Sequence, residues 1–297
     1  MAAIISGTQI ASDIREEVKK ETAELKAKHG LVPGLAVVLV GNDPASETYV
    51  RAKKKACEEL GITSFEFLLS ADTPEAELLA LIDQLNAKKE VNGILVQLPL
   101  PAAINEEKVL LRIDPSKDAD GFHPVNVGKI VIGNDDCFYP CTPYGIQEML
   151  VRTIGDMSGK HVVVVGRSNI VGKPVANMMF QKNSRANCIV TVCHTAASDV
   201  SYYTKQADIL IVAAGRPKTV TADMVKSGAV VIDVGTNRIP HPDDPSKTKL
   251  IGDVDYEGVS KVASAISPVP GGVGPMTITM LMKNTLKACK LQHNIKD

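Results

Sequence analysis

Short, nearly unbroken apolar runs that close on glycine or proline constrain this 297-residue chain more than any other feature. They are GLAVVLVG (34–41), VNGILVQLPLP (91–101), KHVVVVG (160–166), ADILIVAAG (207–215) and GAVVIDVG (228–235). Runs of this length without alternation fit strands covered on both faces, which is how parallel sheets are built. Helical patterns lie between them: PEAELLALIDQLNAK (74–88), GIQEMLVRTI (145–154) and KPVANMMFQ (173–181). ITSFEFLL (62–69) and CIVTVCH (188–194) add strands to the two series. Strands alternating with helices imply parallel sheets with helices on their faces. The pattern breaks from Asp114 to Pro143 into loops rich in Asp, Gly and Pro, so the expected fold class is α/β with two domains in tandem. An opening helix is set by Ile10, Ile14, Val18 and Leu25 with Gly30 as its stop. A last helix starts at Pro275, and RIPHPDDPSKTK (238–249) reads as a surface loop.

The formal net charge of -1 gives no global attraction to nucleic acid or to an acidic membrane. No apolar run approaches the length of a membrane span. The N-terminus turns acidic early and has no secretory apolar core, so it reads as neither transit nor signal peptide. Six cysteines without a CxxC pair or a zinc spacing read as reduced thiols of a cytoplasmic protein, with no metal site.

VVVVGRSNIVGKPVA (162–176) is a strand, a turn opening at Gly166 and a helix beginning near Gly172 or Pro174. Such a turn offers free amides and a helix dipole to phosphates. The spacing is not GxGxxG, so by itself the stretch fits a nucleotide site or an ordinary strand-to-helix turn. The next strand ends in His194, Thr195 and Ala196, where an NAD site usually carries an acid, and Arg167 stands in the turn. A missing acid with an available guanidinium favours NADP. The alternative is that Arg167 merely caps the sheet edge. Later strands end in AAGRP (213–217), DVGTN (233–237) and PVPGGVGP (268–275), whose small residues let a flat ring approach the backbone.

SETYVRAKKKACEELGI (46–62) places four bases in five positions. At about 100° per residue, Tyr49, Ala52, Lys53, Ala56 and Leu60 share one face. Lys54 can pair with Glu58 and Lys55 with Glu59, but Lys53 has only Ala56 and Cys57 at those spacings. Lys53 therefore either snorkels to solvent or stays in a cleft with a depressed pKa.

These stretches, with GILVQLPLP, KDADGFHPVNVG, PCTPYG and PVPGGVGPMTITML, occur in one order along the chain. In that order and spacing the sequence resembles the bifunctional 5,10-methylenetetrahydrofolate dehydrogenase/5,10-methenyltetrahydrofolate cyclohydrolases over nearly its whole length. The resemblance implies two α/β domains across a cleft: a folate-binding catalytic domain at 1–146 and a Rossmann-like NADP domain at 147–274. It also implies that helix 275–297 packs back on the first domain, and that a homodimer forms through the cofactor domain. By position, Tyr49 resembles the family's tyrosine that stacks on the folate, Lys53 its catalytic lysine and Gln97 the glutamine bonded to that lysine. Asp120 matches the acid that holds the pterin, although as a bare sequence feature it also fits an Asx turn with Gly121. Pro270, Gly271 and Gly272 resemble the loop bordering substrate and nicotinamide. Gly166, Arg167, Ser168, Ile170, His194, Thr195, Gly215, Gly235 and Thr236 fall in the implied cofactor site. His194-Thr195-Ala196-Ala197 departs from the family's His-Ser-Lys/Arg-Thr, which keeps a hydroxyl but removes a base.

The implied chemistry is hydride transfer from methylenetetrahydrofolate to NADP, then hydrolysis of the methenyl product to 10-formyltetrahydrofolate. An amine serves the second step near neutral pH only if its pKa is low. The inward position of Lys53 and the bases around it are both expected to lower it. Two rivals are an NADP oxidoreductase of similar build on another substrate, such as a shikimate-type enzyme, and an inactive dinucleotide-binding regulator. The first usually pairs its lysine with aspartate rather than glutamine. The second has no need of Tyr49, Lys53, Gln97 and Asp120 together.

Overall fold

The computed structural model of the protein describes residues 1–241 and 244–295. Its elements begin with β1 (Ala3–Ile4), α1 (Gly7–His29), β2 (Gly34–Val40), α2 (Pro44–Leu60), β3 (Thr63–Leu69), α3 (Glu75–Ala87) and β4 (Gly93–Val96). Then come α4 (Glu106–Arg112), α5 (Pro124–Val131), α6 (Cys141–Ile154), β5 (His161–Val165), α7 (Gly172–Met179) and β6 (Ile189–Cys193). The chain continues through α8 (Val200–Thr204), β7 (Ile209–Val212), β8 (Val230–Asp233), β9 (Asn237–His241) and β10 (Asp244–Ile251). It closes with α9 (Tyr256–Val259), β11 (Ala265–Ile266) and α10 (Val273–Gln292).

Two compact units result, one of Ser12–Cys141 with Ile278–Asp297, the other of Met1–Ala11 with Thr142–Thr277. The first holds a parallel sheet in the order β3-β2-β4. Every residue of β2 is buried, as its unbroken apolar run requires. Alternate positions Ala36, Val38 and Val40 pack against Leu78, Ile82 and Leu85 of α3 and Val109 of α4. The second unit holds a six-stranded parallel sheet in the order β1-β11-β8-β7-β5-β6. Val163, Val165, Leu210, Val212, Val231 and Ile266 form one side of its core.

Both sheets share a topology. β2 sends the chain by α2 to β3 on one side and then by α3 to β4 on the other. β5 does the same with β6 and β7. Each sheet thus has a switch point, between β2 and β4 and between β5 and β7, where open α/β sheets place their ligands.

Three expectations are corrected. The N-terminal residues, read as part of the first domain, contribute β1 to the larger sheet, where Ala3 and Ile4 pair with Ala265 and Ile266. The stretch read as loop from 114 to 143 contains α5, capped when His123 Nδ1 accepts from Val125 N (3.2 Å) with Pro124 at its first position. The segment read as a surface loop pairs antiparallel as β9 and β10, with Arg238 opposite Leu250 and Ile239 opposite Lys249. Residues 242 and 243 of that segment lie outside the described residues. All six cysteines are free and buried, and burial pushes their thiols up, to about 12 for Cys57 and about 11 for Cys137, Cys188, Cys193 and Cys289.

Candidate active site

At the switch point of the smaller sheet, β2 feeds α2 and β4 ends one residue before Gln97. Helix α2 is firmly started: Asp43 accepts from Ser46 N (2.8 Å) with Pro44 at the first position. It stops at Gly61, which is left-handed at φ 70°. Its buried stripe is Val50, Lys53, Ala56, Cys57 and Leu60, so Lys53 stays inside at 8% exposure and does not snorkel. Tyr49, one turn before it, is 48% exposed and so presents a ring edge or face for stacking.

Lys53 Nζ donates to Gln97 Oε1 at 2.7 Å, while Gln97 Nε2 donates to Leu98 O at 2.7 Å. The second bond fixes the amide so that only its oxygen faces the amine. Burial holds the Lys53 amine below the usual lysine range, with Asp120 and then Cys141 pulling the other way. The surrounding bases are not the cause. Arg51 pairs with Glu47 (4.0 Å), Lys55 with Glu59 (3.8 Å), and Lys54 crosses to Glu66 on β3 (3.0 Å) rather than to Glu58.

A parallel bridge joins Ile94 to Asp118, carrying the chain alongside β4 into Asp120. Asp118, absent from the sequence-derived candidates, is 2% exposed and accepts from Gly121 N (3.1 Å), Phe122 N (3.2 Å), His123 N (2.8 Å) and Asn126 Nδ2 (2.9 Å). Asp118, not Asp120, therefore makes the Asx-type turn at Gly121. Freed from that work, the Asp120 carboxyl is pushed up to about 6 by burial, against the opposing pull of Lys53 and the added push of Asp118. Cys141, also missed, opens α6 with Sγ 3.4 Å from Ala119 O and interacts with the Asp120 carboxyl. Asn284 of α10 binds this loop by donating to Ala119 O and Tyr139 O, both at 2.9 Å. Lys53, Gln97, Asp120 and Cys141 thus converge in one unit: an amine, an amide, an acid and a thiol.

The cofactor candidates gather in the other unit, at the C-terminal ends of adjacent strands. Gly166 follows β5 at φ 130°, and a Cβ there would run into the Ala213 carbonyl at the end of β7. Gly172 likewise leaves no room for a side chain against Gly166. Ser168 Oγ accepts from Val171 N (3.1 Å) and Gly172 N (3.4 Å), fastening the turn to the start of α7. Arg167 and Ile170 are exposed in that turn, and among the described residues Arg167 makes no hydrogen bond or ion pair. The edge-cap alternative for Arg167 therefore has no bond to support it. His194 and Thr195 follow β6, where His194 Nδ1 accepts from Ala196 N (3.3 Å). Gly215 follows β7, while Gly235 and Thr236 follow β8. Pro270, Gly271 and Gly272 link β11 to α10, and Gly271 O accepts from Thr8 N at 3.0 Å. A glycine turn at a switch point with an unpaired guanidinium suits a phosphorylated dinucleotide.

Residues 5–120 match the family profile described as "Tetrahydrofolate dehydrogenase/cyclohydrolase, catalytic domain", and residues 140–293 match that family's "NAD(P)-binding domain". The chain belongs to the tetrahydrofolate dehydrogenase/cyclohydrolase family. Within it, the bifunctional protein FolD of Chlorobium luteolum is 60% identical over 284 residues, 95% of this chain and 96% of the relative. The bifunctional FolD structure from Campylobacter jejuni superposes with a TM-score of 0.92 at 48% identity, covering 98% of this chain and all of the other. The FolD structure of Trypanosoma brucei, described as complexed with NADP cofactor and inhibitor, gives 0.92 at 38% identity, covering 98% of each chain. A shikimate dehydrogenase with NADP reaches a TM-score of only 0.51 at 14% identity, a likeness of fold alone. The shikimate-type reading falls away, and Gln97 in place of an aspartate beside Lys53 agrees with that. The tetrahydrofolate dehydrogenase/cyclohydrolases are bifunctional enzymes, so the inactive-regulator reading falls with it.

Proposed function

We propose that this enzyme oxidises 5,10-methylenetetrahydrofolate with NADP and hydrolyses the methenyl product to 10-formyltetrahydrofolate, with Lys53 as acid/base centre. The observation that carries the reading is the buried Lys53 amine held by Gln97 across from Asp120. NADP, when bound, takes up the hydride released from the bridging carbon. In the hydrolysis, the Lys53 amine, kept low by burial, accepts a proton from the water that adds to the methenyl carbon. It then returns the proton to the departing ring nitrogen as the C–N bond breaks, and the added hydroxyl releases its own proton to water to leave the formyl group. Gln97 orients the amine by accepting one of its hydrogens, and being neutral it does not restore the ammonium as a carboxylate would. Asp120 accepts from the pterin's amino and ring N–H groups, and Tyr49 stacks on the folate.

For the cofactor, Gly166, Ser168 and Ile170 would hold the phosphates. Arg167, with the Thr195 hydroxyl, would bind the 2′-phosphate, and His194 would serve the ribose. Gly215, Gly235, Thr236 and the Pro270–Gly272 loop would serve the nicotinamide. The direct test supplies purified enzyme with methylenetetrahydrofolate and either NADP or NAD, following reduced nicotinamide and the methenyl chromophore together. Arg167→Ala should raise the KM for NADP by about ten- to hundredfold. The KM for NAD should change less than threefold. Equal changes for the two nucleotides would remove Arg167 from the 2′-phosphate.

The enzyme acts as a homodimer through the cofactor unit. Support comes from β6, an edge strand that leaves Ile189 62% and Val192 44% exposed, with Tyr202 65% exposed on the neighbouring α8. Ile189→Asp should halve the mass found by light scattering, and a monomeric parent protein would end the proposal. Six free thiols fit a reducing cytoplasm. Among the described residues no helix is long and apolar enough to cross a membrane.

A further inference from the structure

The turns after β7 and β8 carry cofactor candidates from two different strands, yet one side chain binds both. Asp253 is fully buried just beyond the end of β10. Its Oδ2 accepts from Ala214 N (2.6 Å) and Gly215 N (2.8 Å) in the turn after β7. Its Oδ1 accepts from Asn237 Nδ2 (2.8 Å), at the far side of the turn after β8. The same oxygen and the Asp253 backbone crowd Gly235 so closely that a Cβ there would collide with them. A second buried carboxylate holds Asp253 in place: Asp233 accepts from Asp253 N (2.8 Å), Val254 N (3.0 Å) and Gly235 N (3.0 Å), and it leaves Gly252 no room for a side chain.

We propose that Asp253 is a positioning residue for the cofactor, fixing the Gly215 turn and the Gly235–Asn237 turn as one preorganised surface. A buried carboxylate is costly unless it is hydrogen-bonded, and here three donors reach it, two on one oxygen and one on the other. Two of the three are consecutive backbone amides, so the charge is spent on the shape of the turn. That shape is set before the nucleotide arrives, which spares the ordering cost of binding. The left-handed Gly215, at φ 68°, is the residue the carboxylate holds in its unusual conformation. This inference rests on Gly215 and Gly235 belonging to the cofactor seat.

The test uses Asp253→Asn, Asn237→Asp and the double exchange in the full-length enzyme. In the single Asp253→Asn variant one amide oxygen can still accept from the Gly215 turn, but the carboxylate charge that binds those two amides is gone and the Asn237 amide must turn over to accept from the new NH2. The KM for NADP should rise by about ten- to hundredfold. Cyclohydrolase turnover, measured without nucleotide on the methenyl substrate, should stay within twofold. The double exchange returns a carboxylate to the pair, with the new amide donating to it, and should recover part of the NADP affinity. Parallel loss of both activities in Asp253→Asn, or a double variant that folds but binds NADP no better than the single one, would overturn the proposal. If the single variant does not fold, the double variant alone decides: a KM for NADP within about threefold of the parent supports the proposal, and one raised more than about tenfold overturns it. Gly215→Ala separates the underlying reading. An unchanged KM for NADP in that variant removes the turn from the cofactor seat. A raised KM there with a normal KM in Asp253→Asn overturns the positioning role alone.

Discussion

Lys53→Met is expected to lower cyclohydrolase turnover by about 10²- to 10⁴-fold, the range for losing a positioned acid/base group. Methionine fills the same slot on the α2 stripe between Val50, Ala56 and Cys57, so the fold should persist. What is lost is the amine bonded to Gln97, and with it the proposed exchange of a proton with the attacking water. Hydride transfer asks chiefly for alignment, so dehydrogenase turnover should fall less than tenfold. Measuring both activities on one preparation, with a melting curve, separates chemistry from folding. Near-normal methenyl hydrolysis in the variant would remove Lys53 from its role.

Asp120→Asn should raise the KM for folate about ten- to hundredfold in both reactions, the cost of losing a charge-assisted contact. pH dependence gives a second readout with a definite sign. On the proposed pterin contact the Asp120 carboxyl, pushed up to about 6, must be ionised, so folate binding by the parent enzyme should weaken as pH falls through about 6. The asparagine variant should lack that dependence. Its cyclohydrolase profile should also move to lower pH, because Asp120 raises the Lys53 amine and its removal lets the amine lose its proton sooner. An unmoved KM, or a profile displaced to higher pH, would remove Asp120 from the pterin.

What the sequence revealed about this site followed how local each feature was. Lys53 on an inner stripe is visible because helix geometry ties residues three and four apart. The same reasoning misassigned Lys54, whose partner Glu66 comes from β3 and is invisible to spacing along one helix. Asp118 and Asp120 stand two apart in KDADGF, and only the hydrogen bonds from Gly121, Phe122 and His123 show which one serves the turn. β1 is two residues long and is defined by pairing with β11, some 260 positions away in the chain. The β9–β10 pair is rich in proline and charge and lacks the alternation that marks a strand. The clasp of Asp253 on residues 214, 215 and 237 joins three segments that no motif connects. By contrast, the buried strands declared themselves, since parallel sheets demand unbroken apolar runs.

The buried thiols have a practical consequence. A thiol reagent attacks the thiolate, and here burial both hides the sulfur and withholds its ionisation. Labelling must therefore await a local opening, so its rate reads the opening equilibrium of the surrounding structure. Cys57, Cys137, Cys141 and Cys289 report on the unit that holds Lys53, and Cys188 and Cys193 on the unit that holds Gly166. Mass spectrometry of the labelled positions would thus give each unit its own clock, wound into the wild-type chain without any added probe.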